Sequence, residues 1–171
     1  PCEIPDGALL RKHSEADAYA DCYAADIAIS VSQVEYVEAF YSTWVFRMER
    51  QLLAWFVSKP STDQQASALA AGELESFAAW RVEGRTVDQL LMCDFQGRTR
   101  SWLMSAAASN NGSTGTRLYF GSAVVPVENQ KTGQKTMGFA FRALLGFHTL
   151  YSRVLLRAAV SRLRRRRAAG T

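Results

Sequence analysis

The sequence is poor in the residues that build disulfide frameworks and metal sites. It has three cysteines and two histidines among 171 residues. Cys2, Cys22 and Cys93 are widely scattered, and their odd number without a CxxC spacing argues against a disulfide framework and a structural zinc site. Cys22 and Cys93 lie in apolar, strand-like segments, so we expect buried, unreactive thiols there. No metal and no cofactor is predicted.

Long apolar runs and familiar catalytic motifs are also missing. No stretch approaches roughly 18 uncharged apolar residues, so no transmembrane helix is expected. The N-terminus lacks a basic segment followed by an apolar run, and an opening Pro1 is what removal of an initiator Met would leave. We therefore expect a cytoplasmic protein. There is no GxSxG nucleophile elbow and no Gly-rich phosphate loop, so the motifs specify no reaction.

Acidic residues are absent from the last quarter of the chain. Residues 1–128 contain 10 Lys and Arg against 16 Asp and Glu, whereas residues 129–171 contain 10 Lys and Arg and no acid. The candidate contacts for an anionic membrane or RNA are the arginines near the C-terminus, Arg162, Arg164, Arg165, Arg166 and Arg167. The other interpretation is a cap and a solubilising tail, because cations at a helix C-terminus complement the helix dipole.

The apolar spacing predicts helices after a first strand at 21–30. Ser32 and Glu35 form a capping box, and apolar residues then recur at three- and four-residue steps until Pro60. This pattern predicts one long helix. A second, shorter helix is predicted over 60–72, where the opening STDQ supplies capping residues and a glycine ends the helix.

The spacing then changes to a two-residue alternation. Strands are predicted over 77–84, 86–95, 98–109 and 116–127, followed by a polar loop over 127–138. The turns between the strands contain glycine, which is typical of antiparallel hairpins. A long helix closes the chain over about 137–166. Its predicted apolar face consists of Phe141, Leu144, Leu145, His148, Tyr151, Leu155 and Ala158.

These elements predict a single α+β domain over residues 1–171. In it a curved antiparallel sheet is wrapped around the long C-terminal helix, with one long and one short helix after the first strand. Residues 1–20 are expected to be weakly ordered, and residues 162–171 to form a basic tail. The order of elements over about 21–165 resembles the helix-grip architecture of the START, Bet v 1 and polyketide-cyclase-like superfamily. The Trp-, Arg- and Phe-rich composition is also similar to that of bacterial families of unknown function.

The helix-grip resemblance implies a cavity between the sheet and the last helix. His148 would then face the sheet, where an imidazole that titrates near neutral pH suits a general base or a ligand contact. The alternative is a core histidine satisfied by a carbonyl or a strand hydroxyl. Trp80, Trp102, Tyr119 and Tyr151 are the aromatic candidates for lining such a cavity. The alternative for them is plain core.

Two arginines beside the DFQGRTR hairpin are further candidates. Arg98 and Arg100 share a face and would suit a carboxylate or phosphate, which a guanidinium binds in a bidentate manner. The alternative is a set of cross-strand charge pairs on a solvated face, which contribute little to stability.

The resemblance favours one function, and the sequence leaves two others open. The first is binding of a small, largely apolar molecule in the cavity, with cyclase- or hydrolase-like activity as an open extension and His148 as the favoured acid or base. The second is association of the basic C-terminal helix with an anionic membrane or RNA. The third is a non-catalytic interaction module, for instance a homodimer built on the exposed side of the first helix.

Overall fold

A computed structural model describes residues 1–14, 19–48, 61–110, 113–125, 127–128, 135–136 and 139–169. Within these ranges, side chains are described except at 109–110, 113, 127–128, 135–136 and 139–149. The fold is α+β, as the sequence predicts: an open antiparallel sheet packs against a C-terminal helix.

The sheet has six strands in the order β1-β6-β5-β4-β3-β2. They are β1 (Tyr19–Ile27), β2 (Ser76–Phe77), β3 (Trp80–Arg85), β4 (Gln89–Asp94), β5 (Thr99–Asn110) and β6 (Ser113–Val124). Two short strands, β7 (Val127–Glu128) and β8 (Lys135–Thr136), pair with each other inside the segment that was expected to be a polar loop. The four predicted hairpin strands correspond to β3, β4, β5 and β6, each within a few residues.

Four helices are α1 (Arg11–Ser14), α2 (Gln33–Tyr41), α4 (Asp63–Ala71) and α5 (Phe139–Ala169). Residues 44–48 are also helical and form the described part of α3. The predicted capping box is confirmed, because Ser32 Oγ accepts from Glu35 N at 3.2 Å and Ser32 N donates to Glu35 Oε2 at 2.8 Å. The shorter helix is confirmed as α4, with Gly72 in the left-handed conformation at its end (φ 85°).

The single long helix expected after β1 is instead interrupted between α2 and α3. Ser42 and Thr43 separate the two helical segments. The hydroxyl of Ser42 donates to Glu38 O, and that of Thr43 donates to Phe40 O. These side chains satisfy carbonyls of the last turn locally, which is how Ser and Thr compete with helix continuation. Hydrophobic spacing carries no signal of such a break.

The two faces of the sheet are covered differently. Helices α2, α4 and α5 pack on one face, which we call the helix side. There α5 buries a stripe of residues at three- and four-residue steps, Ser152, Leu155, Leu156, Ala159, Val160 and Leu163. Residues 1–14 lie on the opposite face, where Cys2, Ile4, Ala8 and Leu10 pack with a second core cluster. We call residues 1–14 the N-terminal strap. The expectation that residues 1–20 are weakly ordered stays a prediction.

None of the helices in the described ranges is long and apolar enough to cross a membrane.

Candidate functional site

The four aromatic candidates do not meet in one cavity. Trp80 and Tyr151 pack against the helix-side core, whereas Trp102 and Tyr119 lie on the strap side, with ring centroids 6.1 Å apart. The expectation that all four line a cavity between the sheet and the C-terminal helix is therefore wrong. The reason is the strand register, since a shift of one residue moves a side chain to the other face of a sheet.

Trp102 lies in a filled core beneath the strap. It is fully buried, and its Nε1 donates to Gln89 Oε1 at 2.9 Å. Leu10 of the strap and the Trp102 ring both approach Gly121, where a Cβ atom would lie 2.6 Å from Leu10 and 3.0 Å from Trp102. A Cβ atom at this position would require the side chain of Leu10 to shift and would press on the Trp102 ring. A glycine inside a strand pattern is a sequence signal of such close approach, and it marks the strap contact that the sequence analysis missed.

Arg100 is committed to a charge cluster beside the strap. Its Nε donates to Glu83 Oε2 at 3.0 Å, while Lys12 Nζ and His13 Nε2 lie 3.0 and 2.8 Å from Glu83 Oε1. Burial by itself raises the pKa of Glu83, but hydrogen bonds from these three groups lower it to about 2. Arg100 thus joins β5 to the charge cluster that holds the strap. Its charge pair is largely buried, whereas the alternative in the sequence analysis was a pair on a solvated face.

Arg98 is not part of that cluster. Its side chain is exposed at the turn between β4 and β5, where Asp94 Oδ1 accepts from the backbone N–H groups of Arg98 and Thr99 at 2.7 and 3.2 Å. The two arginines therefore do not form the predicted clamp.

His148 lies in α5, but its side chain falls outside the part of the chain whose side chains are described. Its assignment as an acid or base stays a prediction. Among the described residues, no group of three or more His, Cys, Asp or Glu side chains is placed to hold a metal ion.

A groove of about 510 Å³ runs between β1 and α5, and we call it the β1 groove. Tyr23, Leu156 and Val160 are buried apolar residues in its lining. Three exposed arginines of α5 complete that wall, Arg153, Arg157 and Arg164. The groove therefore combines an apolar floor with a cationic rim. It lies between the sheet and the C-terminal helix, where the sequence analysis expected a cavity, but other residues line it.

The charge in the β1 groove is unbalanced. Asp26 is the acidic residue of its lining, and Arg117 holds both carboxylate oxygens at 2.6 and 2.7 Å. This contact holds the pKa of Asp26 below its ordinary value, so the carboxylate is already paired outside the groove. Among the residues whose side chains are described, Arg153, Arg157 and Arg164 have no ion-pair partner.

A second groove of about 550 Å³ lies between α3 and α5, and we call it the α3 groove. Its lining includes the exposed Trp44 and four arginines, Arg47, Arg162, Arg165 and Arg166. Arg47 pairs with Asp63, and Arg166 pairs with Glu38 at 2.8 Å. Burial, followed by the charges of Arg166 and Arg47, lowers the pKa of Arg162. Two of the four guanidinium groups here are therefore already compensated by the protein.

The predicted basic tail is partly built into the fold. Leu163 is buried, Arg166 contacts Glu38, and Arg167 donates to Ser30 O at 2.9 Å. Arg153 and Arg157 were not among the predicted site residues, because they lie outside the predicted apolar face of α5. Their four-residue spacing was the available signal, because residues four apart lie on one helix face.

No family model matches the chain, and no curated protein matches it. Among solved structures, it is similar to an uncharacterized protein from Rhizobium leguminosarum, with 9% sequence identity. That alignment covers 85% of this chain and 97% of the other, with a TM-score of 0.31. A TM-score at this level carries no argument about fold or activity, and the helix-grip resemblance stays a prediction.

Proposed function

We propose that the protein binds a small amphipathic anion in the β1 groove. The apolar body of the ligand would lie on Tyr23, Leu156 and Val160, and its carboxylate or phosphate on the arginines of α5. The observation that supports this is the combination of an apolar floor with three arginines that have no ion-pair partner among the described side chains.

The placement of Arg153 and Arg157 suits a shared anionic group. Arg153 and Arg157 are one helical turn apart, and Arg164 lies two turns further along the same wall of the groove. A guanidinium presents a planar fork of donors that matches a carboxylate or phosphate, and charge-assisted bonds of this kind are about twice as strong as neutral ones. The volume lies within the range of small-molecule sites.

The proposed function is ligand binding and includes no reaction. A cyclase- or hydrolase-like reaction would need an acid or base beside the ligand, and the side chain of the candidate, His148, is not described. Association of the C-terminal arginines with a membrane or RNA has less support, because Arg166 and Arg167 already contact Glu38 and Glu35. If Arg166 and Arg167 bound a membrane or RNA instead, their contacts with Glu38 and Glu35 would have to break.

The test uses dodecanoate below its micelle concentration as the probe, with isothermal titration calorimetry on the full chain. We expect saturable binding, and we expect Arg157→Gln to weaken it about tenfold because one charge-assisted contact is lost. The neutral 1-dodecanol, which has the same apolar body, should bind more weakly than dodecanoate and should not distinguish the variant from the wild type.

Arg165→Gln is the matched control, since Arg165 is an exposed arginine of the same helix that lines the α3 groove. It should leave dodecanoate binding unchanged. A loss with Arg165→Gln in place of Arg157→Gln would move the site to the α3 groove and contradict the proposal. Equal affinity for dodecanoate and dodecanol would contradict it as well.

A further inference from the structure

Two cysteines that are far apart in the sequence lie side by side in the structure. The sulfur atoms of Cys2 in the strap and Cys22 in β1 are 3.2 Å apart, and both residues are free thiols. The backbone N–H of Cys2 donates to Cys22 O at 2.9 Å. The sulfur atoms of a disulfide are about 2.05 Å apart. The two sulfur atoms therefore need to approach each other by only about 1 Å for the bond to form.

The pair is open to a reagent from one side. Cys2 and Cys22 line a groove of about 560 Å³ beside Ile4, Arg11 and Tyr19. Cys2 is partly exposed, whereas Cys22 is buried, and burial raises the pKa of the Cys22 thiol. Cys2 is thus the thiol that meets a soluble oxidant first, and Cys22 is the neighbour placed to complete the reaction.

We propose that Cys2 and Cys22 form a reversible disulfide that fastens the N-terminal strap to β1. The oxidant is a low-molecular-weight disulfide such as oxidised glutathione. The thiolate of Cys2 attacks one sulfur of that disulfide, forms a mixed disulfide and releases one thiolate. Cys22 then gives its proton to solvent, and its sulfur attacks Cys2 and releases the second thiolate. Two protein thiols lose two electrons, and the small disulfide becomes two thiols.

The disulfide would restrict the movement of the whole strap. The bond would close a loop between residues 20 positions apart, and closing such a loop restricts the unfolded chain. Leu10, which is fully buried over Gly121, belongs to the same loop. Oxidation would therefore hold the cover of the strap-side core in place, and reduction would leave it to noncovalent contacts.

The test treats the folded wild-type chain with excess oxidised glutathione, followed by denaturing alkylation and intact-mass measurement. The reduced chain has three cysteines and should take three alkyl groups, whereas the oxidised chain should take one, on Cys93. The oxidised monomer should melt several degrees higher than the reduced one, and dithiothreitol should reverse both changes.

Three variants separate the proposal from other thiol chemistry. Cys93→Ser should still form the bond, because Cys93 is fully buried elsewhere in the sheet. Cys2→Ser should not, and since Cys2 is only partly buried this variant tests the proposal even where Cys22→Ser fails to fold. A stable glutathione adduct on Cys2, a disulfide-linked dimer or three free thiols after treatment would each overturn the proposal.

Discussion

Gln89 connects the strap to Trp102 through three side-chain hydrogen bonds. Its Oε1 accepts from Leu9 N at 2.8 Å and from Trp102 Nε1 at 2.9 Å, and its Nε2 donates to Gly7 O at 3.2 Å. Gln89→Ala would leave the indole N–H without a partner in a fully buried position. Because an unsatisfied buried donor costs about 1–3 kcal/mol and here two are affected, we expect a loss of about 2–4 kcal/mol in the free energy of unfolding, measured in urea.

Gln96 supplies the matched control. It is exposed at the turn between β4 and β5, so Gln96→Ala should change the free energy of unfolding by less than about 0.5 kcal/mol. If Gln89→Ala is as mild as Gln96→Ala, the strap does not lie on Trp102 as described.

At the scale of elements, the sequence predicts the features of a helix or strand that depend on residues close together in the chain. The capping box of α2 and the glycine at the end of α4 are signals within a few residues, and both are confirmed. The separation of Trp80 from Trp102 depends on strand register, and the pairing of Cys2 with Cys22 depends on a contact 20 residues apart. Hydrophobic spacing in the sequence predicts neither the separation of the two tryptophans nor the contact between the two cysteines.

In helix α5, the sequence pattern also failed to predict where the buried apolar stripe ends. Its apolar stripe was expected to end before the arginine run, but Leu163 continues it and is only 4% exposed. Leu163→Ala would open a cavity against the helix-side core, and large-to-small changes of this kind cost about 2–5 kcal/mol. We therefore expect a loss within that range in the free energy of unfolding. The measurement is urea unfolding followed by circular dichroism.

Arg165→Ala is the control within the same turns of α5. Its side chain is exposed, so we expect a change of less than about 0.5 kcal/mol. Similar effects of the two substitutions would instead indicate that the last turns of α5 behave as a solvated tail.

At the scale of the whole molecule, ion pairs join both ends of the chain to residues in its middle. The acid-free C-terminus meets Glu35 and Glu38 of α2 through Arg167 and Arg166. The asymmetry that is visible in the sequence is therefore partly compensated within the fold. Arg153, Arg157 and Arg164 are among the arginines that have no ion-pair partner in the described part of the chain, and their position on the wall of the β1 groove makes that groove a candidate anion site.

Glu83 joins the N-terminal end of the chain to the sheet. Its carboxylate contacts Lys12 and His13 of the strap and Arg100 of β5. Burial alone raises the pKa of Glu83, but these hydrogen bonds lower it from 4.5 to about 2. The unfolded chain therefore binds this proton at a higher pH than the folded chain does. The stabilisation is complete above about pH 4.5 and is lost as the pH falls towards 2.

We expect this group to contribute about 1–2 kcal/mol to acid sensitivity after allowance for solvent screening. The measurement compares the free energy of unfolding of the wild type and Glu83→Gln from pH 5 to about pH 2. The wild type should lose more stability than the variant across that window, because Asp26, Glu35 and Glu38 titrate equally in both. The exposed Glu73→Gln should follow the wild type. Parallel curves for the wild type and Glu83→Gln would show that the cluster does not hold the strap to the sheet.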